Sequence, residues 1–527
     1  MARRTRFALL LGLIVLLLGA VVIFASGAFK KSSASASESP VAPEVKTVPL
    51  IGEGDQLLVW TAPAVLPDTQ AANATGDVAL VDSAGNVVPV VKVPDGANRV
   101  IACGANALSP DGRHFAFFMG VDSNQGGEIF LMTDGGTPTP IDKVQYLACQ
   151  GGNGRFNFSP DSSRYAYIAY ESDARQSEFA DGTLRVGSTS DYSVAFEERN
   201  VTSFDITDEG VGYLQFFTNE KREADEAAIA FWDGSSAREI TAFNVAEGCR
   251  YTSGYIKVGP NGHLWVVIRE LCRDRNEWQL YDVNPEDRSV LVVLKEEPRG
   301  ASVSYAETNN IIFSPDGETM FYTLPDGVGA NSVTLYAAPA SDFAAKKVVI
   351  NGKARFRTYG GSVNANPVIS PDKNWLAVVS DDGNSNYKLH IVNLANPDAA
   401  PLEVEAGSRG DSITFVQFTA DSSRLIYTAG GVNGADNSLF AMELSSGSAF
   451  RIQRGNFTGW AAVSPAGDEV AILDYQIQAE GIRGPDFVNL EVINVDSGET
   501  TTLLTGGEVI DGEVKNTKFF APFLWLK

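Results

Sequence analysis

Histidine is nearly missing from this chain of 527 residues: only His114, His263 and His390 occur. Three imidazoles so far apart in sequence give no metal cluster and no general-base constellation, and they read as surface or strand-edge residues. Cysteine is almost as scarce, with four residues, Cys103, Cys149, Cys249 and Cys272. Bases are outnumbered, 41 Lys+Arg against 65 Asp+Glu, for a net charge of −24. Five of them (Arg3, Arg4, Arg6, Lys30 and Lys31) fall in the first 31 residues, which hold no acid, so the remainder is more acidic still. Such a body repels phosphate backbones, which excludes nucleic acid as a partner. Long polar tracts are absent as well; 44% hydrophobic and 20% charged residues exclude general disorder.

Catalytic and metal-binding strings are also lacking. G-x-S-x-G does not occur; Gly360-Gly361-Ser362-Val363-Asn364 comes nearest and lacks the final Gly. A two-carboxylate glycosidase site finds too many candidate pairs among 65 acids to single one out. The loops at Asp122, Asp381-Asp382-Gly383-Asn384 and Asp436-Asn437 do not fit the twelve-residue calcium loop and read as hairpin tips. No catalytic residue, metal site or cofactor is therefore expected.

What is present begins with one apolar run. Phe7 to Phe29 holds 23 residues without a charge, about 35 Å of helix against a hydrocarbon core of about 30 Å. A secretory signal needs only about 7 to 15 apolar residues. Residues 1–31 are thus expected to be a retained signal-anchor, with Arg3, Arg4 and Arg6 cytoplasmic; cleavage near Ser26-Gly27-Ala28 is the alternative. Residues 32–50 follow as a Ser/Ala/Pro-rich linker. Everything beyond lies outside the cytoplasm in either case, periplasmic or extracellular, where cysteines pair.

Residues 51–527 are built from one repeat. LSPDGRHFAFF (from Leu108), FSPDSSRYAYIA (from Phe158), VGPNGHLWVVI (from Val258), FSPDGETMFYT (from Phe313), ISPDKNWLAVVS (from Ile369), FTADSSRLIYTA (from Phe418) and VSPAGDEVAILD (from Val463) share a pattern, with a degenerate copy, ITDEGVGYLQFF, from Ile206. The spacings between equivalent positions are 50, 48, 52, 55, 56, 49 and 45. Each copy is a strand, a tight turn and a strand: Pro fixes φ at the corner, and Asp and Gly tolerate the residues that follow. Asp111, Asp161, Asp316 and Asp372 are therefore read as turn residues. Further strands follow in each unit, as in SLFAMELSSGSAFRIQ (from Ser438). Four strands at this period predict an all-β fold, a single β-propeller of four-stranded blades. Eight blades is the preferred count, within a range of seven to nine, because the copy at Thr207 is degenerate. QLLVW and DVALVDSAGNVVPVVKV near the start and KFFAPFLWLK at the end are expected to join in one composite blade that closes the ring.

With these turns in view, the chain resembles the WD40-like (PD40) repeats of TolB-type propellers, which also occur in the propeller domains of prolyl-oligopeptidase-like peptidases. The resemblance covers about 56–527. It implies a periplasmic protein that binds envelope components, although no helical domain precedes the repeats here. The peptidases' catalytic residues have no counterpart in this sequence, which reaches Lys527 just after the expected closing strand.

The segments leading into the inner strands hold Asn106, Arg155, Tyr251, Asn309, Asn366 and Trp460, polar and aromatic groups expected to line a ligand-binding funnel. Two disulfides are expected, Cys103–Cys149 and Cys249–Cys272. The first pair precedes consecutive inner strands. In the second, one cysteine precedes an inner strand and the other ends the strand running back beside it. The function read from this is a membrane-anchored extracytoplasmic scaffold binding a protein or envelope component. The alternative is a hydrolase or lyase acting on a glycan or peptide at the axial funnel.

Overall fold

The computed structural model describes residues 56–62, 77–91, 99–102, 108–122, 126–134, 136–144, 146–147, 156–170, 182–219, 223–273, 276–296, 311–325, 333–356, 368–381, 387–405, 411–431, 437–455, 457–476, 487–511, 513–515 and 519–526. The chain divides into two units, Met1–Pro43 and Glu44–Lys527, and everything described belongs to the second. The expected anchor at 1–31 and the linker at 32–50 lie outside the described residues. Among the described residues no helix is long and apolar enough to cross a membrane. Their one helical element is a 3-10 turn at Phe343–Ala345.

The rest is antiparallel β-structure, along which nine successive four-stranded meanders can be traced. The second has its inner strand in two pieces, the third and fourth and the fifth and sixth are joined into eight-stranded sheets, and a separate hairpin pairs Glu508–Ile510 with Glu513–Lys515. The first runs Arg99–Ala102, His114–Asp122, Gly126–Thr133 and Thr139–Val144. The third is Val201–Ile206, Val211–Thr218, Ala224–Trp232 and Ala237–Asn244, and the fourth Arg250–Val258, Leu264–Leu271, Asn276–Val283 and Val290–Glu296. In the sixth, the inner strand is assembled from the end of Lys347–Phe356 and from Val368–Ile369; Trp375–Asp381, Tyr387–Asn393 and Leu402–Glu405 follow. The degenerate copy at Thr207 belongs to a complete four-stranded meander. The ninth is composite: the C-terminal strand Phe519–Leu526 pairs with Gln56–Ala62 over seven residue pairs, and Asp77–Val81 and Val87–Val91 complete it.

Strand side chains alternate between two faces, and here both faces are covered, so the strands read as nearly continuous apolar runs. In the sixth meander, Ala377, Val379, Leu389 and Ile391 join a core with Val416, Phe418 and Tyr427 of the seventh. Leu376, Val378 and Val392 face the fifth instead, against Phe321 and Leu335. The same sharing links second to third, third to fourth, fourth to fifth and seventh to eighth. One further cluster joins the eighth, ninth, first and second through Leu473, Leu58, Phe117 and Tyr167. Each fully buried side chain of this size contributes about 1.5–3 kcal/mol.

The repeated turn explains its own sequence. Ser109 is 2% exposed; its hydroxyl donates to Asp111 Oδ1 at 2.5 Å and accepts the His114 N–H at 2.8 Å. Ser159/Asp161, Ser314/Asp316, Ser370/Asp372 and Thr419/Asp421 repeat this at 2.5–2.6 Å. At Ser464 the turn carries Ala466 in place of the acid, and Asp468 accepts the hydroxyl at 2.9 Å. The fourth turn position is left-handed in seven of the eight copies, all but the degenerate one at Thr207: Gly112, Gly262, Gly317 and Gly467 have φ of 74–78°, and Ser162, Lys373 and Ser422 have 58–62°. The acids beside these hydroxyls are turn residues, and all five in the Ser/Thr–Asp copies sit below the ordinary carboxylate range. In Asp316 and Asp421 the hydroxyl's hydrogen bond is the chief cause; in Asp111, Asp161 and Asp372 hydrogen bonds outweigh an opposing effect of burial.

Candidate functional site

Of the six residues expected at the funnel, Asn106, Arg155, Asn309 and Asn366 lie outside the described residues, as do Cys103 and Cys149. Trp460 lies on the inner strand Phe457–Val463 of the eighth meander, its side chain outside the described set. Tyr251 is the second residue of Arg250–Val258, the inner strand of the fourth meander. It is 4% exposed and stacks on Phe216 of the third meander, with ring centroids 5.6 Å apart. Its body belongs to the core, because an aromatic ring at a shared face gains more from packing than from exposure.

Tyr251 nonetheless marks a polar cluster. It pairs across the ladder with Glu270, which pairs in turn with Glu277. Both acids are buried, at 7% and 2% exposure. Gln279 holds them together, donating from Nε2 to Glu277 Oε2 at 3.2 Å and more loosely to Glu270 Oε2 at 3.5 Å. The Tyr281 hydroxyl donates to Gln279 Oε1. Burial, then the charges of Glu270 and Glu277, pushes Tyr281 up to about 12. Burial with Tyr281 and Glu270 raises Tyr251 as well. Both phenols remain donors at neutral pH. One residue outside the Arg250↔Leu271 pair, Cys249 and Cys272 are joined by a disulfide with Cα atoms 4.1 Å apart.

A second cluster occupies the sixth meander. The Ser380 hydroxyl meets His390 Nε2 at 2.7 Å. His390 Nδ1 stands 3.3 Å from Glu403 Oε1, out of line for a hydrogen bond. Lys388 Nζ binds Glu403 Oε2 at 2.9 Å. Burial, opposed by Glu403 and reinforced by Lys388, holds His390 below its ordinary value, so the ring is neutral at pH 7. A hydroxyl and a neutral imidazole with a carboxylate nearby are the residue types of a nucleophile–base–orienter relay, here without the imidazole–carboxylate hydrogen bond. Ser380 and His390 are only 4% and 5% exposed.

The sequence reading placed all three histidines at surfaces or strand edges. The structure corrects this for His390 and for His114, which is 8% exposed and bonded to Thr133 Oγ1 at 2.8 Å. His263 is partly exposed and meets Asp282 Oδ1 at 2.8 Å. No sequence motif flagged Glu270, Glu277, Ser380 or Glu403. Their signal is the ladder register: Ser380 and His390 are ten residues apart, which one hairpin brings to diagonal positions on one face.

No protein-family model matches the chain, and no curated protein matches it. Among solved structures the chain is similar to one from a study of two prolyl endopeptidases and their inter-domain dynamics. The identity there is 9% and the TM-score 0.42, over 73% of this chain and 53% of that one. It is similar also to prolyl oligopeptidase B from Galerina marginata bound to a 35mer hydrolysis and macrocyclization substrate. That match has 12% identity and a TM-score of 0.39, over 76% of this chain and 56% of that one. The same enzyme bound to a 25mer macrocyclization substrate matches at 11% identity and a TM-score of 0.39. The chain spans little more than half the length of these proteins, and likeness at this level carries no argument about activity.

Proposed function

We propose that the chain is an extracytoplasmic β-propeller of nine blades, anchored through the apolar run at 7–29, which binds a protein or envelope component bearing basic groups. Support for the ring comes from the order of the shared cores, which passes from each meander to the next and returns through the composite ninth to the first. The resemblance to TolB-type repeats fits the same reading. The observation that carries the binding role is the cluster of Glu270, Glu277, Gln279, Tyr251 and Tyr281, two buried carboxylates and two phenols where the fourth inner strand begins. In a chain of net charge −24, the field of the whole molecule steers a basic partner toward it. Binding of a Lys/Arg-rich peptide to the oxidised ectodomain is expected to weaken at least tenfold between low and physiological salt, and again in Glu270→Gln. Titration calorimetry of parent and variant at two ionic strengths tests this; affinity indifferent to both overturns it.

A second reading, hydrolysis of a peptide or ester, is favoured by the Ser380–His390 contact with Glu403 nearby. It requires Ser380 Oγ to act as nucleophile with His390 Nε2 as base. A serine-directed fluorophosphonate would then label the protein, and Ser380→Ala would abolish the label. Absence of labelling in the folded parent returns the pair to a structural role.

A further inference from the structure

Acids buried between meanders are balanced in different ways. Asp205 of the third meander, 9% exposed, accepts from Lys257 Nζ of the fourth at 2.9 Å and from the Val258 N–H at 2.8 Å. Glu491, 8% exposed, belongs to the third strand of the eighth meander, Phe487–Asn494. It shares a face with its ladder partner Ile472 and with Ile493, which pack against Ile426, Leu439 and Ala441 of the seventh. The neighbouring charge there is a second acid. Asp474 is the ladder partner of Asn489, two residues before Glu491, so the two carboxylates stand diagonally on one face. The same register joins Ser380 to His390 in the sixth meander.

Among the described residues no cation is set against Glu491. Phe457–Val463 and Thr500–Leu504 carry no charged residue, and Glu469 lies on the opposite face with Ala471 and Leu473. In the seventh meander, Arg451 and Arg454 pair with Phe440 and Ser438, on the side turned to the sixth. Arg424 and Glu443 face the eighth, but they bond each other, and Arg424 also binds Asp496, at the turn end of the strands. Two carboxylates in one buried place do not both ionise cheaply, so one keeps its proton. Burial first and the Asp474 charge second, against a hydrogen bond from Thr502, push Glu491 up to about 7. We propose that the seam between the seventh and eighth meanders is a pH-sensitive latch, closed while Glu491 carries a proton and loosened when Glu491 ionises beside Asp474. The proposal is independent of the binding role above. A protonated Glu491 is neutral and suits the apolar seam; its carboxylate has to be hydrated, and water enters only if the meanders part. The folded value is raised above the ordinary one, so this stability is complete below pH 4.5 and is lost as pH rises through about 7.

Hydrogen exchange of the full chain, corrected for intrinsic rates, reads the latch. Protection in Glu469–Gln476, Phe487–Asn494 and Ser438–Glu443 is expected to fall by roughly tenfold or more from pH 5 to pH 8. Ala224–Trp232 of the third meander, where Lys257 balances Asp205, is expected to stay as it was. Glu491→Gln, neutral like the protonated acid, is expected to keep at pH 8 the protection that the parent shows at pH 5. Asp474→Asn removes the neighbouring charge and is expected to move the transition to lower pH. In protein labelled with ¹³C at the glutamate carboxyls, one resonance missing from Glu491→Gln is expected to titrate near pH 7. An undiminished fall of protection in Glu491→Gln overturns the proposal, and so does a fall shared equally by the third meander. A transition unmoved in Asp474→Asn overturns it too. Should Glu491→Gln fail to fold, the parent and Asp474→Asn still decide: a parent with equal protection at pH 5 and pH 8 has no latch.

Discussion

The fourth and sixth meanders carry different chemistry at the same ladder positions. In the fourth, Tyr251, Glu270 and Glu277 are successive cross-strand partners, with Gln279 two residues on. In the sixth, Phe356, Ser380 and Lys388 occupy those positions, with His390 two residues on. Both groups lie where the inner strand begins, and Tyr251, Glu270 and Glu277 in the one and Ser380 and His390 in the other are buried. The turns at the other end of these strands behave differently. There, Ser or Thr and Asp recur from copy to copy because each turn needs the same hydrogen bonds. A polar residue that recurs at every repeat serves the fold. One that changes identity at a fixed place is released from that duty and is where function is best sought.

The two meanders differ most in the bridge that the fourth has. Cys249 and Cys272 are 23 residues apart in sequence, and closing a loop of that size removes about 3 kcal/mol of unfolded-state freedom. Cys249→Ser with Cys272→Ser is expected to lower stability by about that amount in urea unfolding. Hydrogen exchange should quicken in Arg250–Val258 and Leu264–Leu271, with the sixth meander unchanged. A shift spread evenly over both meanders would erase the distinction.

Acid separates them next. His390 is held below its ordinary value of 6.5, chiefly by burial. Its unfolded form therefore takes a proton that the folded form refuses. The stability this represents is complete above pH 6.5 and is lost as pH falls toward the folded value, by up to about 2 kcal/mol at pH 5. His390→Gln is expected to flatten the decline of Tm between pH 7 and 5. Glu270→Gln, which removes no histidine, is expected to leave the slope as it was. An unaltered slope in His390→Gln would show that another group carries the acid response.

These contrasts also mark what the sequence disclosed. The Ser-Pro-Asp turns were legible because each is local, and Pro, Asp and Gly have fixed conformational uses there. The composite ninth meander was legible as strands left without a partner at either end. The third was undervalued because ITDEGVGYLQFF lacks Pro, although Thr207 still receives the Gly210 N–H at 3.3 Å and closes a tight turn. The clusters were not legible. Glu270 and Glu277 are two acids among 65, and only a ladder register sets them side by side. His390 looked solitary because its partners come from neighbouring strands, Ser380 before it and Glu403 after it. Tyr251 was identified as a site residue for its place in the strand order, and its burial against Phe216 depends on a neighbouring meander that no local pattern reveals.

The smallest difference between the two meanders lies in their turns. Gly262 and Lys373 hold the same left-handed position, at φ 78° and 62°. For a residue with a Cβ this backbone costs roughly 1–2 kcal/mol. Ser162 and Ser422 accept that strain and return something for it: their hydroxyls receive the N–H of Asp111 and Asp372 from the preceding turn, each at 3.0 Å. The Lys373 side chain is exposed, and an ammonium has no acceptor to offer such an N–H. Lys373→Gly should therefore relieve strain, less the entropy that glycine adds to the unfolded chain, about 0.4–1 kcal/mol. The net expectation is a gain of a few tenths to about 1 kcal/mol in unfolding free energy, read from the shift of the urea midpoint at constant m. Ser422→Gly relieves the same strain but leaves the Asp372 N–H without its acceptor, and is expected to be neutral or destabilising. Equal gains from both substitutions would mean that the hydroxyl bridge between turns contributes nothing, and that the left-handed position alone sets the stability of this corner.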